Sequence, residues 1–397
     1  MEDKAIETWE CPHCHATGNS ARFCAKCGAE KPVQEPKAED KVAKKEKSRR
    51  VIETIVAVAM ILFFSISLVL VLSPMVQIYD NSVYSSGSHY GTTYSIYFYY
   101  FFYTQWVNLK ADSNAIEIIK AVISTIAFVG AVGLTYFFGI KGLIDSIKVI
   151  KNHKEPKYTK DMMAVIGTLF GYYTIIAMLH WEDISTSSGL MTGTSDGTAI
   201  VLFILLLIFV LAALMARSFV FAIIDKKGFR IAASIIKFVS IIFIISAVTV
   251  AAKVGMKQTL SSNYREFSFA NWALYLVLGS DWTGAAVTST IAAIFALGAL
   301  AAGIGALCLS FGSLMDDKRD FKASVFSIAF CALLFLTIAM STATFFAVPE
   351  GSGKFVPTNT PAAIILSLLG IIGIVVASAL EKETKADANA PKTEEVK

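Results

Sequence analysis

Four cysteines within seventeen residues are the part of this chain best able to do chemistry. Cys11, Cys14, Cys24 and Cys27 lie in CPHCHATGNSARFCAKC: a C-x2-C pair, a nine-residue connection, and a second C-x2-C pair. Each pair forms a tight knuckle whose two thiolates grip one side of a tetrahedral ion, and a hairpin over nine residues brings the knuckles face to face. The donor set suits one structural Zn²⁺. A segment this short cannot bury a core of its own, so metal binding would supply its folding energy. His13 and His15 lie close by, but four thiolates already close a structural site. The expected ligands are therefore Cys11, Cys14, Cys24 and Cys27. The other two cysteines, Cys308 and Cys331, sit in long apolar runs and read as small apolar core residues.

Residues 8–32, TWECPHCHATGNSARFCAKCGAEKP, resemble the short zinc ribbon found at the termini of many bacterial membrane proteins. The resemblance is carried by Cys11-Pro12 in the first knuckle and by Phe23-Cys24 and Cys27-Gly28 in the second. It implies a zinc-dependent fold for this segment and nothing about the rest of the chain. One position departs from the pattern. Glycine follows the second cysteine of each knuckle in the family, where the backbone turns with φ > 0, and here that place holds His15. Histidine tolerates the conformation better than a β-branched residue does. Nucleic-acid binding needs a basic stripe. Arg22, Lys26 and Lys31, opposed by Glu10 and Glu30, do not make one, so a structural cap or a contact for a cytoplasmic protein partner is expected instead.

The rest of the chain must place this tail, and its composition says where. Of the 397 residues, 55% are hydrophobic and only 17% charged, with mean hydropathy +0.60. That is too little charge to cover a soluble globule of this size. Eight apolar runs, at about 52–77, 113–140, 161–181, 198–224, 231–252, 284–313, 323–347 and 361–380, each approach the ~20 residues that cross a bilayer. A basic collar from Lys41 to Arg50 precedes the first run, and no early apolar core marks a cleavable signal. With that collar in the cytoplasm, the inner connections carry 12 Lys and Arg against 5 in the outer ones, the sign that the positive-inside rule demands. Trp106, Trp181, Trp272 and Trp282 fall near the outer ends, as an interfacial belt would. The expected architecture is an all-α polytopic bundle of eight transmembrane helices in a bacterial cell membrane, with both termini cytoplasmic. Its parts are a zinc ribbon at 8–32, a flexible charged linker at 33–50, the bundle at 51–380 and a disordered tail at 381–397.

No catalytic constellation stands out, and an enzyme is not expected. Near the bilayer centre no ionisable residue appears; Glu53, Arg217 and Lys237 lie close enough to the inner ends to snorkel. Small residues recur at helical spacing, as in ALGALAAGIGALCLS, which lets helices approach closely. SFVFAIIDKKGFR (218–230) aligns with SFGSLMDDKRDFK (310–322), either as convergent turn chemistry or as duplication of a two-helix unit. The outer connections are rich in tyrosine, and REFSFANWALYLVLGSDW reads as an interfacial or re-entrant helix. A membrane sensor or scaffold using the ribbon to contact a protein partner is the leading expectation. A transporter of a neutral or lipidic substrate, with the ribbon as an accessory, is the alternative. A polar cavity open to one side would favour the transporter, and a solidly packed bundle the scaffold.

Overall fold

A computed structural model describes residues 9–11, 13–17, 23–30, 38–72, 76–80, 92–96, 106, 115–152, 156–180, 182–185, 191–196, 198–225, 228–251, 254–260, 263–268, 273–274, 277, 283–316, 319–347, 354–358 and 360–389. The aromatic block from Tyr97 to Tyr103, the residues Trp181, Trp272 and Trp282, and the cations Lys154, Lys226, Lys227 and Lys318 lie outside this set. The chain divides into two compact units, Met1–Val51 and Ile52–Lys397.

Eight long helices are described: α1 (Ala38–Leu70), α2 (Ala115–Asn152), α3 (Thr159–His180), α4 (Thr198–Ile224), α5 (Gly228–Ala251), α6 (Thr283–Ser313), α7 (Asp320–Ala347) and α8 (Thr360–Asn389). Seven of them, all but α3, are long and apolar enough to cross a membrane. The chain is thus a largely helical, multi-span membrane protein. The exception has a physical reason. No described side chain of α3 from Asp161 to Leu179 is exposed, so its composition answers to protein neighbours. By contrast α2 turns a broad face outward through Ile126, Val129, Phe137 and Ile140. Met162, Ile166, Leu169 and Phe170 of α3 are fully or almost fully buried, in one core with Leu207 and Val210 of α4, Val248 of α5 and Leu307 of α6.

Helix neighbours do not simply follow chain order. α5 packs most extensively against α8, and α6 against α7. Small residues explain both approaches. A Cβ on Gly303 would lie 2.8 Å from Val248 and 3.0 Å from Phe330, and one on Gly370 would lie 2.7 Å from Ile244. The space a side chain would fill is already taken by the facing helix, the arrangement small residues permit.

Two boundaries differ from the sequence reading. The linker expected at 33–50 is helical from Ala38, because AEDKVAKKEKSRR holds strong helix formers and no Gly or Pro. Glu46 and Arg50 add an i,i+4 ion pair. Side chains from Ala43 to Arg50 are all exposed, and burial begins at Ile52. Likewise α8 runs on to Asn389, into the tail expected to be disordered. Lys, Glu and Ala carry it past the apolar run, and Pro391 lies just beyond.

The largest correction concerns the expected all-α class. The connections after α1, α3, α5 and α7 hold seven strands: β1 (Val76–Asp80), β2 (Thr92–Ile96), β3 (Glu182–Ser185), β4 (Met191–Asp196), β5 (Gly255–Leu260), β6 (Asn263–Ser268) and β7 (Lys354–Thr358). They form one sheet in the order β2-β1-β4-β3-β6-β5-β7, and every pairing is antiparallel. Three connections each contribute a hairpin. The joints between them are Ile78 opposite Thr194 and Ile184 opposite Arg265. Residues 265–268 of the segment expected as an interfacial helix are therefore strand, while Ala273, Leu274 and Val277 are helical. Thr, Tyr, Val and Ile favour a pleated surface, and pairing across connections secures backbone groups that a lone segment would leave open.

Candidate metal centre

Two nearly identical knuckles build the four-cysteine segment. In the first, the His15 N–H donates to the Cys11 carbonyl at 2.9 Å and the Cys11 N–H to the Ala16 carbonyl at 3.0 Å. In the second, the Gly28 N–H donates to the Cys24 carbonyl at 2.9 Å and the Cys24 N–H to the Ala29 carbonyl at 2.8 Å. The residue after each second cysteine has positive φ, 54° at His15 and 73° at Gly28. His15 therefore takes the glycine conformation, as expected. A bridge between Phe23 and Glu30 closes the second knuckle, and Trp9 is buried against Cys11 and Cys24.

The knuckles bring all four sulfurs within 4.8 Å of one another. Cys11 Sγ lies 3.4 Å from Cys27 Sγ, and Cys14 Sγ lies 3.6 Å from Cys24 Sγ. Four sulfurs at ~2.3 Å from one tetrahedral ion would be about 3.8 Å apart, so the residues present fit such an ion. No histidine joins the cluster among the described residues. The His15 ring turns away, its Nδ1 3.2 Å from Glu10 Oε1.

The electrostatics fit a cation as well. Backbone N–H groups of Cys27 and then Lys26 point at the Cys24 sulfur and hold its thiol down at about 6. At Cys27 the Ala29 N–H favours the thiolate, but the sulfurs of Cys11 and Cys14, with burial, outweigh it and push the thiol up to about 12. Four crowded thiols cannot all ionise without a positive charge among them. Cys331 is buried in the bundle, and the Cys308 thiol donates to the Met163 carbonyl at 3.3 Å; both are core residues, as read.

At the basic ends of the helices the sequence reading missed a layer of interhelical ion pairs, one of them buried and the others part-buried. Glu53, Arg217 and Lys237 each pair with a side chain of another helix. Arg217 of α4 donates through Nε at 2.8 Å and Nη2 at 2.6 Å to Glu53 Oε1 of α1, and its guanidinium stacks on Phe221 at 4.5 Å. Lys141 of α2 meets the buried Asp161 of α3 at 2.7 Å. Lys237 of α5 meets Asp320 of α7 at 3.0 Å and Glu381 of α8 at 2.7 Å. Tyr158 is buried beside the first pair, and burial foremost, then the Glu53 charge, hold its phenol protonated well above its usual range. One sequence signal was available. Lys237 lies more than two turns inside an apolar helix, and Asp320 and Glu381 stand at the rims of two others. Which rims would meet was not written locally.

Compared with known proteins, the chain matches no protein-family model, no curated protein and no solved structure.

Proposed function

We propose that this protein is a non-enzymatic membrane sensor or scaffold. It spans the bilayer eight times, holds the seven-stranded sheet outside, and presents a zinc ribbon to a protein partner in the cytoplasm. The observation that carries the reading is the single sheet built from all four strand-bearing connections. Strands of one sheet must lie on one side of the membrane. Since α2 is long and apolar enough to cross, α3 must cross back to return β3 and β4 to β1. That supports eight spans even though α3 alone would not suggest one. The cation-rich connections are those without strands, which supports a cytoplasmic basic end.

A joined sheet also opposes transport by rocking. Separating the helical hairpins would break the β1–β4 and β3–β6 ladders. Within the bundle, several buried hydroxyls turn back on their own helices, Ser146 to the Gly142 carbonyl, Ser310 to Ala306, Ser327 to Ala323 and Thr337 to Leu333, while those of Ser67 and Thr135 have no hydrogen-bond partner. The four that turn back are satisfied locally. A groove of about 470 Å³ is lined by residues of α2 alone, including Phe137, Lys141 and Lys148, so it is not a cavity between helices.

Two measurements test this. In native membranes opened to both sides, a water-soluble thiol reagent should leave Cys308 and Cys331 unmodified, mapped by peptide mass. Modification of either would reveal a water path and favour a transporter. A photo-crosslinking residue replacing the exposed Phe23 should trap one discrete protein in cells, and Cys24→Ser should abolish the adduct. Equal trapping by the unfolded ribbon would end the partner reading.

A further inference from the structure

We propose that Lys237, Asp320 and Glu381 form a binding site for one exchangeable proton, held between the two carboxyl groups at the basic end of the bundle. The three side chains come from α5, α7 and α8, and only 3%, 9% and 8% of each is exposed. The Lys237 ammonium lies 3.0 Å from both Asp320 oxygens and 2.7 Å from Glu381 Oε1. One cation thus faces two carboxylates. Fully ionised, the site would bury a net negative charge, which a low-dielectric interior strongly disfavours.

Hydrogen bonding points the same way. Asp320 Oδ1 and Glu381 Oε2 are both buried; the first lies 3.0 Å from the ammonium without hydrogen-bond geometry and the second has no hydrogen-bond partner, and both carboxyl groups sit against the same ammonium. A carboxylate only accepts, so two ionised groups cannot satisfy each other. One proton on Glu381 Oε2 makes an O–H donor toward Asp320. It cancels the excess charge and turns the partnerless Glu381 oxygen from an acceptor into a donor. A water molecule could fill a hydrogen-bonding gap but would leave the charge.

The neighbouring charges are committed elsewhere among the described residues. Arg230 of α5 lies 4.0 Å from Asp225, and Arg319, just before α7, lies 3.7 Å from Asp316. Lys322 of α7 is exposed. The α5–α8 approach that seats the site rests on Gly370 and Gly373, where a Cβ would meet Ile244 and Ser240. The O–H bond forms and breaks by exchange with water at the basic end. With the proton bound, α5, α7 and α8 are clamped; when alkali removes it, the returning charge loosens the end of α8. Buried ionisable groups in membrane bundles commonly mark such proton sites.

The test uses the full-length protein in bilayer discs. Infrared difference spectra at neutral pH should contain a protonated-carboxyl band sensitive to deuterium exchange. That band should be lost in Glu381→Gln, whose amide mimics the protonated acid and preserves the fold, and also in Asp320→Asn. Wild-type thermal stability should fall as the pH is raised, while the stability of Glu381→Gln stays level. Absence of the band from the wild type, or its survival in both variants, overturns the proposal. So does full stabilisation of the alkaline wild type by sodium or potassium over a choline control, which would make the ligand a metal cation.

Discussion

The ribbon and the Lys237–Asp320–Glu381 cluster both gather anionic groups around a centre that wants positive charge, yet they are assembled in opposite ways. In the ribbon, four sulfurs come from seventeen consecutive residues, and each knuckle is closed by its own backbone hydrogen bonds. In the bundle, Lys237 and Asp320 are 83 residues apart, and nothing local draws them together. The ribbon belongs to a separate compact unit, whereas the cluster can form only after α5, α7 and α8 have packed. The two should also answer pH with opposite sign. Protons compete with a metal for thiolate, so acid would empty a metal-loaded cysteine cluster; alkali would strip the proton from the buried carboxyl pair.

The largest expected effect is on the ribbon. Cys24→Ser removes one soft donor and should take zinc per purified chain from about one ion to nearly none, while the bundle's melting transition stays where it was. Zinc retained by this variant would mean that a histidine completes the site. A shifted bundle transition would mean that the two units are not independent.

Breaking the other side of the comparison should cost less but reach further. Lys237→Met leaves the buried carboxyl pair without its counter-charge and should destabilise the bundle by about 3–5 kcal/mol, read by denaturant or thermal unfolding, with zinc content unchanged. A loss under about 1 kcal/mol would show the cluster to be as solvated as a surface pair. Gly373→Ala comes next. The added methyl meets Ser240, and overpacking of this kind costs about 1–3 kcal/mol. If it also weakens the alkaline response, helix approach and the ionic cluster are one device; a neutral outcome would separate them.

The smallest effect should come from His15→Gly. The backbone there already has φ of 54°, so glycine should leave zinc content unchanged and tighten the knuckle slightly, measured by competition with a chelator. Zinc loss matching that of Cys24→Ser would contradict the four-cysteine assignment.

Much of the site was legible because its geometry is short-ranged. Two C-x2-C pairs, with His15 and Gly28 after them, specify the knuckles and their positive-φ turns almost residue by residue. The helices were legible for a related reason: lipid demands about 20 apolar residues wherever it is the neighbour. That rule breaks down at α3, whose neighbours are protein, and it hides the strands. Stretches such as TTYSI and NYREFS have the composition of an interfacial belt as much as of a sheet, and only pairing across four connections distinguishes the two.

Sequence by itself determined the elements that neighbours along the chain can enforce: the cysteine knuckles, the long apolar helices and the basic connections between them. Tertiary structure alone decided which helices touch, and therefore that Lys237 meets Asp320 and Glu381 rather than water, and that Arg217 meets Glu53. A charged residue near a helix end has the same local sequence whether it snorkels or pairs. The choice depends on what the facing helix supplies, and that is set by the packing of glycine-bearing faces far apart in the chain, such as Gly370 against Ile244.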